Sequence, residues 1–145
     1  MLEIGDLPRR GRILVDSAPI IYYLEGHLTL GSRYAGLFAR AESGHHQLVL
    51  STVTLAEVLT GPFRVSDEQL ADDYRQALTR PPWVVADLTI AIAHRAARIR
   101  GQTRLRLPDA AIVATALEMS CIALVSHDRD LRALDQSAER IAIYS

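Results

Sequence analysis

Four acidic residues stand where their type and spacing would allow chemistry. Asp16 ends the run Arg12-Ile-Leu-Val-Asp16, Glu57 lies inside Thr54-Leu-Ala-Glu-Val-Leu59, Asp109 opens Leu107-Pro-Asp-Ala-Ala-Ile112, and Asp128 falls within Ser126-His-Asp-Arg-Asp130. Three of them also have a purely structural reading. Asp109 beside Pro108 suits the start of a helix, Asp16 suits the cap of a helix beginning near Ser17, and Asp128 suits the start of a short helix. Capping does not explain Glu57 in mid-helix, and among Leu55, Ala56, Val58 and Leu59 its carboxylate is expected to be poorly hydrated and to need a partner. Gathered at one place, four carboxylates repel one another unless cations neutralise them. Hard oxygen ligands of this kind suit Mg²⁺ or Mn²⁺.

The elements that would have to gather them are legible as alternating patterns. Short apolar runs at 12–16, 47–51, 83–88, 122–126 and 140–144 read as buried strands. Segments with helical spacing lie between them at 20–25, 32–42, 52–60, 67–78, 90–100, 109–119 and 129–134. Alternation of this kind predicts an α/β fold with a mostly parallel five-stranded sheet and helices on both faces. In such sheets the site lies beyond the carboxyl ends of the strands, and Asp16 and Asp128 fall there directly. No internal repeat or linker divides the chain, so a single domain over 1–145 is expected, with a lead at 1–11 and a core at 12–144.

Composition narrows the chemistry further. The chain has 145 residues, 49% hydrophobic and 23% charged, with a formal net charge of −1, which describes one globular domain able to bury a core without disulfides. All 16 basic residues are arginine. The absence of lysine excludes a P-loop, a pyridoxal Schiff base and a protein kinase. There is no G-x-S-x-G or G-x-G-x-x-G, which leaves serine hydrolase and dinucleotide readings unsupported. His27, His45, His46 and His94 show no zinc spacing, and Cys121 reads as a core residue. The polar start MLEIGDLPRRGR and the lack of a long apolar stretch predict no signal peptide, no membrane span and a cytoplasmic location.

The chain resembles the PIN domain, and within it the VapC-like toxins of type II toxin–antitoxin pairs, from Arg12 to Tyr144. The resemblance rests on Ile13-Leu-Val-Asp16-Ser17 with Ile20-Ile-Tyr-Tyr-Leu24, on Ser51 to Glu57, on Leu107-Pro-Asp109-Ala-Ala-Ile-Val-Ala114, and on Ser126-His-Asp128-Arg-Asp130-Leu131, four motifs in order. His127 stands where the family usually has asparagine. The lead before the first strand, with Arg9, Arg10 and Arg12, is longer than usual. The resemblance implies a metal-dependent endoribonuclease, with Asp16, Glu57 and Asp109 as main ligands of Mg²⁺ or Mn²⁺, Asp128 completing the site, and Ser126 fixing the last loop or a bound water by hydrogen bonding. Asp130 is expected to be a structural acid. It also implies RNA as substrate, a cognate VapB-like antitoxin as partner and a homodimer. The acid-free stretch 94–106 carries Arg95, Arg98, Arg100, Arg104 and Arg106; of these Arg95, Arg98, Arg104 and Arg106 are candidates for RNA phosphate contact, the alternative being a solvated helix face. A phosphatase using Asp16 would want a second aspartate two residues on, where Ala18 stands. The remaining alternative is a PIN-like fold that binds RNA or protein without cutting.

Overall fold

The structure is a computed structural model describing residues 2–137 and 139–145. Its elements are β1 (Gly11–Val15), α1 (Ser17–Leu24), α2 (Leu30–Glu42), β2 (His46–Ser51), α3 (Thr52–Arg64), α4 (Glu68–Leu78), β3 (Trp83–Ala86), α5 (Ile90–Gln102), α6 (Leu107–Glu118), β4 (Ala123–Val125) and β5 (Ala142–Tyr144), with 3-10 turns at Ile4–Asp6 and Arg129–Gln136. All five strands are parallel and lie in the order β3-β2-β1-β4-β5. The five expected strands and the seven expected helical segments are present, the last as a 3-10 rather than an α-helix.

The differences lie at the ends, and local hydrogen bonds account for several of them. α1 begins at Ser17 because the Asp16 carboxylate accepts the Ser17 N–H, and Pro19 is tolerated in a first turn. β3 ends at Ala86, short of Leu88, and Thr89 caps α5 by accepting the Ile92 N–H at 3.2 Å. α6 begins at Leu107, ahead of Asp109, because Pro108 suits the first turn, where its missing N–H would have no intrahelical partner. α3 runs past Gly61-Pro62, since a proline near a helix end removes only one ladder bond.

Alternate strand residues face opposite layers, as a pleated sheet requires. Leu14, Val49 and Leu124 pack under α5, α6 and the turn carrying Leu131 and Leu134. Ile13, Val15, Leu48, Leu50, Ala123 and Val125 pack against α1 and α2, with Val58 of α3 and Leu78 of α4. Seven consecutive residues of α6, Ala110 to Ala116, are buried; their small side chains let the helix lie between the sheet and α5. The lead is part of this packing: Leu7 is buried, and Leu2 adds a parallel bridge to Tyr144, its N–H reaching the Ile143 carbonyl at 2.8 Å. It covers the β5 edge, where unpaired strand groups would otherwise face outward.

Candidate active site

Strand order reverses between β1 and β4. From β1 the chain moves outward through β2 and β3, then returns by α5 and α6 to β4 on the other side, leaving a crevice at the carboxyl ends of β1 and β4. Asp16 leaves β1 at that point, its N–H bonded to the Val125 carbonyl at 2.9 Å. The fully buried Ser126 ties the two strand ends together: its hydroxyl donates to Asp16 Oδ2 at 2.9 Å and accepts the Asp128 N–H at 3.1 Å. Asp128 in turn accepts the Asp130 N–H at 2.8 Å, capping the 3-10 turn. Ser126 thus fixes the last acidic loop, and the capping readings of Asp16 and Asp128 hold alongside any functional one.

Glu57 arrives from α3. The Ser17 hydroxyl donates to Glu57 Oε2 at 2.7 Å, while the Ser17 N–H serves Asp16 Oδ1 at 2.8 Å, so one serine bridges the first two acids. Glu57 is exposed, which corrects the expectation that its apolar neighbours would dry it. Residues adjacent in a helix diverge around the axis, and Thr54 and Val58 take the buried face instead. Asp109 lies in the first turn of α6, its side chain 14% exposed, with Arg106 Nε at 3.3 Å from Oδ2.

Charge couples the four acids. Burial pushes the Asp16 carboxyl above the usual carboxylate range, with smaller upward pushes from Glu57 and Asp109, against the lowering hydrogen bonds from Ser17 and Ser126. Asp109 is likewise raised, by burial first and then by Asp128, with Glu57 adding and Arg106 opposing. Every side-chain donor atom of the set is an oxygen, which fits a hard divalent cation. Yet among the described residues no three Asp, Glu, His or Cys side chains are grouped closely enough to hold a metal ion. Serines hold Asp16 and Glu57, a backbone N–H holds Asp128, and Arg106 holds Asp109.

The PIN domain family model matches residues 13–136, spanning all four acids. The chain belongs to the PIN domain family. No curated protein matches its sequence. Solved structures of the same fold include VapBC2 of Rickettsia felis (TM-score 0.71, 16% identity, 92% of this chain and 98% of that one). A toxin–antitoxin complex of Klebsiella pneumoniae is also similar (0.65, 24%, 90% and 99%). A third is VapC20 of Mycobacterium tuberculosis, a sarcin–ricin loop cleaving toxin (0.63, 16%, 83% and 93%).

Around the acids, this PIN domain places its arginines unequally. α5 and α6 run antiparallel, so Arg95 meets the far end of α6 and pairs with Glu118 at 2.9 Å and with Glu139 at 3.8 Å. Arg98, Arg100 and Arg104 are exposed and joined to no acid among the described residues. Arg100 and Arg104 line an open hollow of about 500 Å³ at the α5–α6 turn, and Arg106 stands between that turn and Asp109. His127 packs inward: its Nδ1 lies 3.2 Å from the hydroxyl of the buried Tyr34, and its ring meets Tyr22 edge-on at 5.6 Å. Tyr22 therefore supports the acidic loop, whereas Tyr23 stacks on Phe38 at 4.1 Å. Cys121 is inert at neutral pH, its thiol pushed by burial up to about 11. The clamp formed by Ser17 and the ion pair of Arg106 were missed in the sequence. The three-residue spacing of Arg106 and Asp109 is the one signal that marks the pair in advance.

Proposed function

We propose that this PIN domain is a Mg²⁺- or Mn²⁺-dependent endoribonuclease, the toxin of a VapBC-like pair, cutting RNA at the edge formed by Asp16, Glu57, Asp109 and Asp128. The observation that carries the reading is the placement of four acids at the strand-order reversal of a PIN fold, with Asp109 coupled by charge to each of the other three. Asp16, Glu57 and Asp109 are the ligands we assign, with Asp128 completing the set. Asp16, Glu57, Asp109 and Asp128 would hold a divalent cation there, which would supply water activation and stabilisation of the departing oxygen of a phosphodiester. The chain's own residues do the positioning. Ser126 orients Asp16 against the Asp128 loop, Ser17 orients Glu57 toward Asp16, and Arg98, Arg104 and Arg106 supply phosphate contacts. A VapB-like antitoxin is the partner this reading includes, supported by the toxin–antitoxin complexes of Rickettsia and Klebsiella, and a second copy of the chain is included as an expectation of the family resemblance.

The separation of the carboxylates favours one competing reading, a PIN fold that binds RNA without cutting it. Incubation of cellular RNA with purified protein, with and without Mg²⁺ or Mn²⁺, decides between them, with Asp109→Asn prepared identically as the control. Discrete metal-dependent fragments absent in the variant are expected. RNA binding without cleavage in either metal would favour the binding module.

A further inference from the structure

The four acids are not held alike. Asp16, Glu57 and Asp128 are satisfied by neutral donors, whereas Asp109, the acid whose side chain is 14% exposed, is met by a full positive charge. That contact is built to be exchanged. Arg106 approaches through Nε alone at 3.3 Å, its side chain is 75% exposed, and it stands just outside α6, the helix that carries Asp109. An exposed, single-contact ion pair is weak. A bidentate guanidinium–carboxylate fork, the stronger arrangement, is not made. Arg106 also interacts by charge with Asp128 and Asp130, so it bears on the last acidic loop as well as on Asp109. Arg104 and Arg100, just before it in the chain, line the hollow at the α5–α6 turn.

We infer that Arg106 is a resident counter-ion, neutralising Asp109 until a divalent cation takes that carboxylate, and that the released guanidinium then joins Arg104 in gripping a phosphate of the RNA strand. The inference rests on the metal-dependent reading above and adds to it a coupling: metal and arginine compete for one carboxylate, so occupancy by metal is transmitted to RNA affinity. A guanidinium and a divalent cation held by one carboxylate repel each other, which favours the exchange. Linkage makes the effect reciprocal, so RNA held through Arg106 also tightens metal binding.

The test measures Mn²⁺ binding from the free-ion electron paramagnetic resonance signal. In parallel, anisotropy of a fluorescent phosphorothioate-substituted RNA is followed with and without Mn²⁺, on the full chain, Arg106→Gln, Arg106→Lys and Asp109→Asn. Arg106 is exposed, so neither of its replacements endangers the fold. Arg106→Gln is expected to bind Mn²⁺ about fivefold more tightly, the effect of removing one unit charge about 4 Å away in a water-like medium. It should also lose most of the Mn²⁺-induced gain in RNA affinity that the unaltered chain shows. Arg106→Lys, which keeps the charge, should retain near-normal Mn²⁺ affinity. An unaltered chain whose Mn²⁺ binding depends on Asp109, together with an Arg106→Gln variant of identical Mn²⁺ affinity or identical RNA gain, would overturn this inference alone. Absence of any Asp109-dependent Mn²⁺ binding in the unaltered chain would overturn it together with the reading on which it rests.

Discussion

At the scale of residues, the acidic edge costs the metal-free protein stability in a pH-dependent way. The Asp16 and Asp109 carboxyls are raised in the folded chain, chiefly by burial. Between the ordinary aspartate value of about 4 and the raised values, the folded state therefore binds more protons than the unfolded one, and stability falls as pH rises. The favourable contribution is complete below the ordinary value and is lost once pH passes the raised ones. In a chelating buffer, the melting temperature of Asp16→Asn relative to the unaltered chain is expected to climb as pH rises through that window, as read by thermal unfolding at stepped pH. Asn also caps helices well, so this variant keeps the start of α1 while losing cleavage. Ser126→Ala strands the partly buried Asp128 N–H and removes a donor from Asp16. It should destabilise the chain by about 1–3 kcal/mol in denaturant unfolding and lower cleavage as well. Asp16, Asp109 and Asp128 were legible because each stands at the start or end of an element, and Glu57 because capping could not explain an acid in mid-helix. Ser17 and Arg106 were not, because their roles depend on where a side chain turns, which strand and helix patterns leave open.

At the scale of elements, interiors were readable and ends were not. The apolar runs of β1, β2 and β4 are buried on both faces and carry an unambiguous signal, whereas apolar spacing alone starts α1 and α6 late; the capping reading of Asp16 recovers the start of α1 at Ser17, and Pro108 places the start of α6 ahead of Asp109. Glu57 shows the same limit: the helix was correctly placed, but its direction of facing needed the packing of α3 against the sheet. Gly11 supplies a test at the end of β1 opposite Asp16. It begins β1 with φ +134°, and a Cβ there would run into the Ile122 side chain. Gly11→Ala is expected to lower unfolding free energy by more than about 1 kcal/mol. Cleavage per folded molecule should be unchanged, because the strand end carrying Asp16 is not disturbed. Loss of cleavage in the folded fraction would contradict that separation.

At the scale of the whole molecule, a net charge of −1 gives no general attraction for nucleic acid, so affinity must come from placement. The α5–α6 hairpin divides its arginines, turning Arg95 to Glu118 and Glu139 and leaving Arg98 and Arg104 exposed. RNA affinity is therefore expected to be insensitive to Arg95→Ala. Arg104→Ala should weaken binding and reduce the slope of log affinity against log salt by about 0.7 for each single-strand phosphate that the arginine would have neutralised. Equal effects from the two substitutions would deny the division. Among the described residues no helix is long and apolar enough to cross a membrane. The sheet's parallel order and the side on which the acids gather were legible from the alternation of elements, since right-handed crossovers leave few arrangements. The reversal between β1 and β4, which sets Asp16 beside Ser126, required the structure.

If the acidic edge cuts RNA by directing water at phosphorus, as proposed, the ends of the products show it most directly. RNA cut in Mn²⁺ by the unaltered chain should carry 5′-phosphate and 3′-hydroxyl ends, with Asp109→Asn producing none. Ends bearing a 2′,3′-cyclic phosphate, or undiminished cutting by Asp109→Asn, would contradict the account.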